Sequence, residues 1–178
     1  MLTLVIGGAS GGKSEVAERL AMEGGRCVYV ATMQPFGEQA HKRIARHLAL
    51  RAGKGMATVE RYTDVGGIAD TVAAYDVLLL ECLTNLVANE QFRPDFAPGT
   101  DVAEKVFADI QQLRAAYPSL VIVTCDVFCD GVTYTTETMG YMRHLARLNN
   151  LLAAEADSVV EVFYGLERER KGVCYAAV

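Results

Sequence analysis

Short apolar runs alternate with stretches of helical periodicity along this chain. Leu2–Ile6, Cys27–Ala31, Val77–Leu80, Leu120–Thr124 and Ser158–Phe163 are rich in Val, Ile, Leu and Tyr and show little polar alternation. Runs of that kind mark strands covered on both faces, as in a parallel sheet between helices. Between them, Lys13–Glu23 sets Val16, Ala17, Leu20 and Ala21 on one stripe and stops at Gly24-Gly25, a helix with a glycine end. Glu38–Arg51 reads as a second helix. A third opens at Asp101, with Glu104 completing a capping box, turns Val102, Val106, Ile110 and Leu113 inward and stops before Pro118. A fourth, from about Thr136 to Ala156, carries Met139, Met142, Leu145, Leu148 and Leu152 at helical spacing, a stripe read as core filling. Glu90–Gly99, with Phe92, Pro94, Phe96 and Pro98, reads as a loop. The tail reads as a hairpin: Val159–Tyr164, a polar turn through Glu167–Gly172, then Val173–Val178 as an antiparallel edge strand. No repeat or linker-like shift divides the chain. The expectation is one α/β domain over residues 1–178, a mostly parallel sheet flanked by helices.

Composition narrows the classes. A hydrophobic fraction of 51% in 178 residues excludes disorder and suits one domain with a proper core. Lys and Arg number 17 against 22 Asp and Glu, a net charge of −5, so the molecule as a whole has no attraction for nucleic acid or acidic lipid. Any anion must be held by a local device. Cys27, Cys82, Cys125, Cys129 and Cys174 form an odd set without a C-x-x-C pair, which favours reduced thiols over a disulfide framework. Cys125 and Cys129 offer half a metal site with no partnering pair nearby. The N-terminus lacks a basic region and a cleavage pattern, and no apolar run approaches the roughly 18–20 residues of a membrane span. A soluble, cytoplasmic protein is expected, with no nucleic-acid partner and no membrane span.

Gly7-Gly8-Ala9-Ser10-Gly11-Gly12-Lys13-Ser14 fits G-x-x-x-x-G-K-[ST] in full. It follows an apolar strand and precedes an amphipathic helix, the context in which the pattern becomes a phosphate cradle. Glycines let successive backbone N–H groups face an anion, and the helix N-terminus adds its dipole and unsatisfied donors. In that arrangement Lys13 neutralises β- and γ-phosphate charge and the Ser14 hydroxyl ligates Mg²⁺. The expected architecture is therefore P-loop NTPase-like. A second acidic group belongs near the metal, at the carboxyl end of another strand. Glu81, ending Val77–Leu80, supplies one; Asp126, after Leu120–Thr124, is the competing candidate.

In the second helix Arg43, His47 and Arg51 are spaced four apart and share a face, with Arg46 close by. Neighbouring cations favour a neutral imidazole, which has the lone pair a nucleophile requires, and arginines bind phosphate. A solvated basic face is the other reading of the same spacing.

Further motifs follow in order: Tyr29-Val30-Ala31-Thr32, Arg43-Ile44-x-x-His47-x-x-x-Arg51, Thr58-x-Glu60, Leu79-Leu80-Glu81-Cys82-Leu83-Thr84 with Asn89, and Asn149 ahead of Ala153. Together with the glycine loop they resemble the bifunctional adenosylcobinamide kinase/adenosylcobinamide-phosphate guanylyltransferase family of cobalamin biosynthesis, over nearly the whole chain. The resemblance implies phosphorylation of the aminopropanol hydroxyl of adenosylcobinamide by ATP or GTP. It then implies transfer of GMP from GTP, through a guanylylated histidine falling on His47, onto adenosylcobinamide phosphate. It assigns nucleotide contacts to Gly7–Ser14, to Ala31, Thr32 and Met33, to Leu48, Ala49, Leu50 and Arg51, and to Glu60 and Glu81, and it implies a homotrimer. The chain departs from the family pattern at Ser10-Gly11-Gly12, at Ala52 and Met56 where Pro and Trp are usual, at Ala146 and Asn150 around Asn149, and through Cys125–Asp130. The last of these touches the corrinoid-facing part. Two alternatives stay open: a P-loop small-molecule kinase that forms no covalent adduct, and a non-catalytic GTP-binding regulator. No Asn-Lys-x-Asp run of a GTPase switch occurs.

Overall fold

The computed structural model describes residues 1–70, 74–97, 99–128 and 131–172, with Leu50 described by its backbone alone. The chain runs β1 (Leu2–Ile6), α1 (Lys13–Glu23), β2 (Cys27–Ala31), α2 (Gly37–Arg51), β3 (Ala57–Glu60), a 3₁₀ turn (Val65–Ile68), β4 (Val77–Glu81), α3 (Leu83–Gln91), α4 (Val102–Ala116), β5 (Ser119–Val123), α5 (Thr136–Glu155), β6 (Ser158–Phe163) and β7 (Leu166–Lys171). All seven strands join one sheet in the order β3-β2-β4-β5-β1-β6-β7. Every pairing is parallel except β6 with β7.

Burial on both faces explains the unbroken hydrophobic runs. Leu2, Leu4, Val28, Val30, Leu78, Leu80, Leu120 and Ile122 pack on one side beneath α3, α4 and α5. Val5, Cys27, Tyr29, Val77, Leu79, Val121 and Val123 pack on the other against Val16, Ala17 and Ala21 of α1. The expected cap forms, Asp101 accepting the Glu104 N–H, and Thr135, which the sequence pattern does not single out, caps α5 by accepting that of Thr138. Leu145, Leu148 and Leu152 of the long stripe are fully buried, while Met139 and Met142 nearer its start are only half-buried.

Two expectations need correction, and one strand was not expected. The polar stretch expected as a turn, Glu167–Gly172, is mostly strand β7, and the turn is Tyr164-Gly165, both with positive φ (50° and 76°). Two left-handed residues suit the right-handed twist of a two-residue hairpin. As an exposed edge strand β7 needs no apolar face; Arg170 pairs with Glu161 and Lys171 donates to the last carbonyls of α5. The expected strand Val173–Val178 lies outside the described residues. Glu90 and Gln91, expected in a loop, close helix α3, which buries Leu83, Leu86, Val87 and Glu90. Finally, Ala57–Glu60, quoted only as a motif, is strand β3 beside β2.

Candidate functional site

In an open parallel sheet the carboxyl ends of the strands make a common edge for ligands, and the predicted residues collect there. The glycine loop leaves β1 and enters α1. Lys13 folds back so that its Nζ donates to the Gly8 carbonyl at 2.7 Å. Gly12 caps α1 with φ 95° and Ser10 stands at φ 57°, left-handed conformations that turn N–H groups toward one centre. The loop is fastened from outside, because the Gly165 N–H donates to the Gly11 carbonyl at 2.9 Å. The hairpin missed in register therefore braces the cradle.

Glu81, ending β4, is the acidic group that meets the loop. Its Oε1 accepts from the Ser14 hydroxyl and its Oε2 from the Tyr29 hydroxyl at 3.2 Å. Burial, then the charge of Glu81, pushes the Tyr29 phenol well above its ordinary value, so it stays a donor. The competing candidate Asp126 faces elsewhere: its N–H donates to the Gly7 carbonyl at 3.3 Å, and its side chain lines a different cavity. Ser14 and Glu81 bring a hydroxyl and a carboxylate together, a hard oxygen pair that suits Mg²⁺ with phosphates and water completing the shell. Among the described residues no group of three His, Cys, Asp or Glu could hold a metal; Cys129, the second member of the Cys125–Cys129 pair, lies outside them.

His47 arrives from α2. Its Nδ1 stands 3.8 Å from Glu81 Oε1 and is buried without a hydrogen-bond partner. The cations divide in a way spacing does not reveal. Arg43 and Arg46 are exposed and, with His47, line the cavity of about 280 Å³ that also contains Ala9–Ser14, Glu81, Asn85 and Cys125. Arg51 is buried, and its guanidinium lies 3.5 Å over the centre of the Tyr29 ring, with Nε and Nη1 unpaired. His47 therefore shares one cavity with Arg43 and Arg46 and a narrower one with Arg51, and adds a carboxylate contact that the spacing did not reveal.

A narrower cavity joins Tyr29, Ala31, Met33, Ile44, His47, Arg51, Glu60 and Glu81. Ala31, Met33, Arg51 and Glu60 are therefore gathered with His47 and Glu81. Leu48 and Ala49 are not; both are exposed and line neither cavity. Thr32 is structural in this geometry: its hydroxyl donates to the Cys82 carbonyl and accepts the Cys82 N–H, both at 2.7 Å. Asn89 clasps the Thr32 and Tyr62 carbonyls, and Asn149 accepts from Thr124 at the end of β5. Sequence reasoning missed Asn85, which lines both cavities from α3. Its signal was available in the apolar positions Leu83, Leu86, Val87 at helical spacing directly after Glu81-Cys82.

The sequence profile of the cobinamide kinase / cobinamide phosphate guanyltransferase family matches residues 3–169. The bifunctional adenosylcobalamin biosynthesis protein CobU of Escherichia coli (strain K12) is 31% identical over 177 residues, covering 93% of this chain and 97% of that protein. Its namesake in Salmonella typhimurium is 32% identical with the same coverage. Among solved structures, the RadB recombinase aligns over 90% of this chain and 73% of its own, with a TM-score of 0.47 and 15% identity.

Proposed function

The chain belongs to the cobinamide kinase / cobinamide phosphate guanyltransferase family, and from that membership we propose that it carries out both reactions through one phosphate cradle, with His47 as the covalent carrier. In the first, the aminopropanol hydroxyl of adenosylcobinamide attacks the γ-phosphorus of ATP or GTP; an O–P bond forms, the bond from the γ-phosphorus to the β–γ bridging oxygen breaks, ADP or GDP leaves and the hydroxyl proton passes to solvent. In the second, an imidazole nitrogen of His47 attacks the α-phosphorus of GTP; an N–P bond forms, the bond from the α-phosphorus to the bridging oxygen breaks, and pyrophosphate leaves. An oxygen of adenosylcobinamide phosphate then attacks the same phosphorus, the N–P bond breaks, and adenosylcobinamide-GDP is released.

The observation that carries this reading is that the His47 imidazole, whose buried Nδ1 has no hydrogen-bond partner among the described residues, lines the same cavity as the glycine loop. A phosphate cradle supports phosphoryl transfer alone; a nucleophile within it supports a covalent step. Lys13, Arg43 and Arg46 supply the positive charge that a triphosphate and its leaving pyrophosphate require. Arg51, held against Tyr29, fixes the end of α2 that carries His47. Ser14 and Glu81 would hold Mg²⁺, which when bound screens the charge of the phosphate oxygens. In this reading the enzyme works in the cytoplasm.

The test is incubation with [α-³²P]GTP and Mg²⁺ without acceptor. Wild type is expected to acquire an acid-labile, base-stable label, and His47→Ala to acquire none. Equal labelling of the two proteins removes His47 from the mechanism.

A further inference from the structure

A cavity of about 760 Å³ takes no part in the chemistry above. It lies over the carboxyl ends of β1 and β6, lined by Ile6, Val127, Tyr141, Met142, Val162 and Phe163 among others, and it touches the cradle at Gly7 and Gly8. The geometry points to this cavity as the acceptor site, where one edge of the corrinoid rests while its aminopropanol arm reaches the phosphate cradle. This rests on the two-step reading and adds to it the location of the second substrate.

Three observations converge. The first is continuity. Asp126 lines the large cavity and Cys125, its neighbour, lines the phosphate cavity. The two spaces share this wall, and an arm crossing Cys125–Asp126 leads from one to the other. The second is direction. His47 stands over Glu81 at the end of β4, whereas the large cavity lies over β1 and β6, with β5 between β4 and β1. In-line displacement requires the incoming oxygen opposite the leaving group, and an acceptor entering from the β6 side meets a His47-bound phosphorus from the far side.

The third is charge. Among the described residues, the cavity's charged side chains are Asp126 and Glu161, and no Lys or Arg lines it. Glu161 is paired with Arg170, and Asp126 accepts the Phe128 N–H at 3.3 Å. A polyphosphate finds no counter-charge here. A corrinoid without its nucleotide fits better, since Co(III) in a singly negative ring with one carbanionic ligand leaves a single positive charge. Its macrocycle is broad, with apolar edges and neutral amides. A cavity within the roughly 300–1,000 Å³ of small-molecule sites, lined by aromatic and aliphatic side chains, accommodates part of such a ligand and leaves the remainder in solvent.

The chain has no tryptophan, so Phe163→Trp, at a side chain 66% exposed, gives a reporter with no background. Adenosylcobinamide is expected to quench it saturably, and GTP with Mg²⁺ to leave it unquenched. Quenching by the nucleotide, or no saturable quenching by the corrinoid, overturns the proposal. Kinetics supply the second arm. Met142→Arg and Thr138→Trp, from two turns of α5, are expected to raise the KM for adenosylcobinamide by about tenfold or more in whichever variant still self-labels with GTP. A corrinoid KM within about twofold of wild type in a self-labelling variant sinks the assignment. Should wild type itself fail to self-label, the His47 mechanism falls while the fluorescence titration still decides the cavity.

Discussion

At Gly7 the requirement for glycine is steric. A Cβ there would come within 2.2 Å of the Val162 carbonyl oxygen, whereas at Gly8 it would meet nothing within 4 Å. Backbone cannot yield as a flexible side chain can, so the strand-to-loop junction would have to shift. Gly7→Ala is expected to lower stability by about 1–3 kcal/mol, the range for overpacking, and to weaken GTP binding because the cradle moves with the junction. Gly8→Ala is expected to melt close to wild type. Thermal melts of the two variants side by side check the contrast; equal melting temperatures would show that β6 gives way. The motif fits both glycines alike, and only the packing of β6 against the loop separates them. The same limit applies to Arg43 and Arg51. Spacing put them on one face, but the Tyr29 ring that captures Arg51 comes from β2.

Helix α2 shows how much an element can hide. Across Gly37–Arg51 the described side chains face mostly solvent; Ala40, Ile44 and His47 are half-buried, and only Arg51 is buried. A helix of 15 residues with so little tertiary support is near the margin of stability in water. Local opening is therefore expected to cost less here than in α4, whose apolar stripe is fully buried, or in α5, where Leu145, Leu148 and Leu152 are. Hydrogen exchange should find the α2 amides least protected among the long helices, and GTP with Mg²⁺ should slow them as His47, Arg43 and Arg46 gain phosphate partners. Protection equal to that of α5 before nucleotide is added would refute this account.

Legibility from sequence follows the same physics. Strands β1, β2, β4 and β5 were readable because burial on both faces leaves an unbroken apolar run, and α1, α4 and α5 because they carry one apolar stripe with caps. The elements missed are those without an unbroken apolar run or a purely apolar stripe. Strand β3 alternates half-buried and exposed residues at the sheet's margin, β7 is exposed throughout, and α3 buries Glu90 in a charged cluster with Arg93 and Lys105. The site was legible as a set of residue types, the loop, Glu81 and His47. The choice of Glu81 over Asp126 depended on which strand lies beside which.

For the whole molecule the problem is electrostatic: a chain of net charge −5 has to hold a polyanion. In the proposed function it does so through Lys13, Arg43 and Arg46, which outnumber Glu15 and Glu81 around one cavity. Because α1, α2, β4 and β5 all line that cavity and one sheet joins every strand, nucleotide bound there is expected to be coupled to the cooperative unfolding of the chain, which we expect to be a single transition. A ligand at about 100 times its Kd adds about 2.7 kcal/mol to the native state, and for a chain of this size each kcal/mol raises Tm by about 2–4 °C. Saturating GTP with Mg²⁺ is therefore expected to move one sharp calorimetric peak upward by about 5–10 °C. Lys13→Ala, lacking the central counter-charge, should show a much smaller shift. Two separable peaks, of which only one responds to GTP, would mean that the sheet does not unfold as a unit and that the cradle's stability is independent of the strands beyond it.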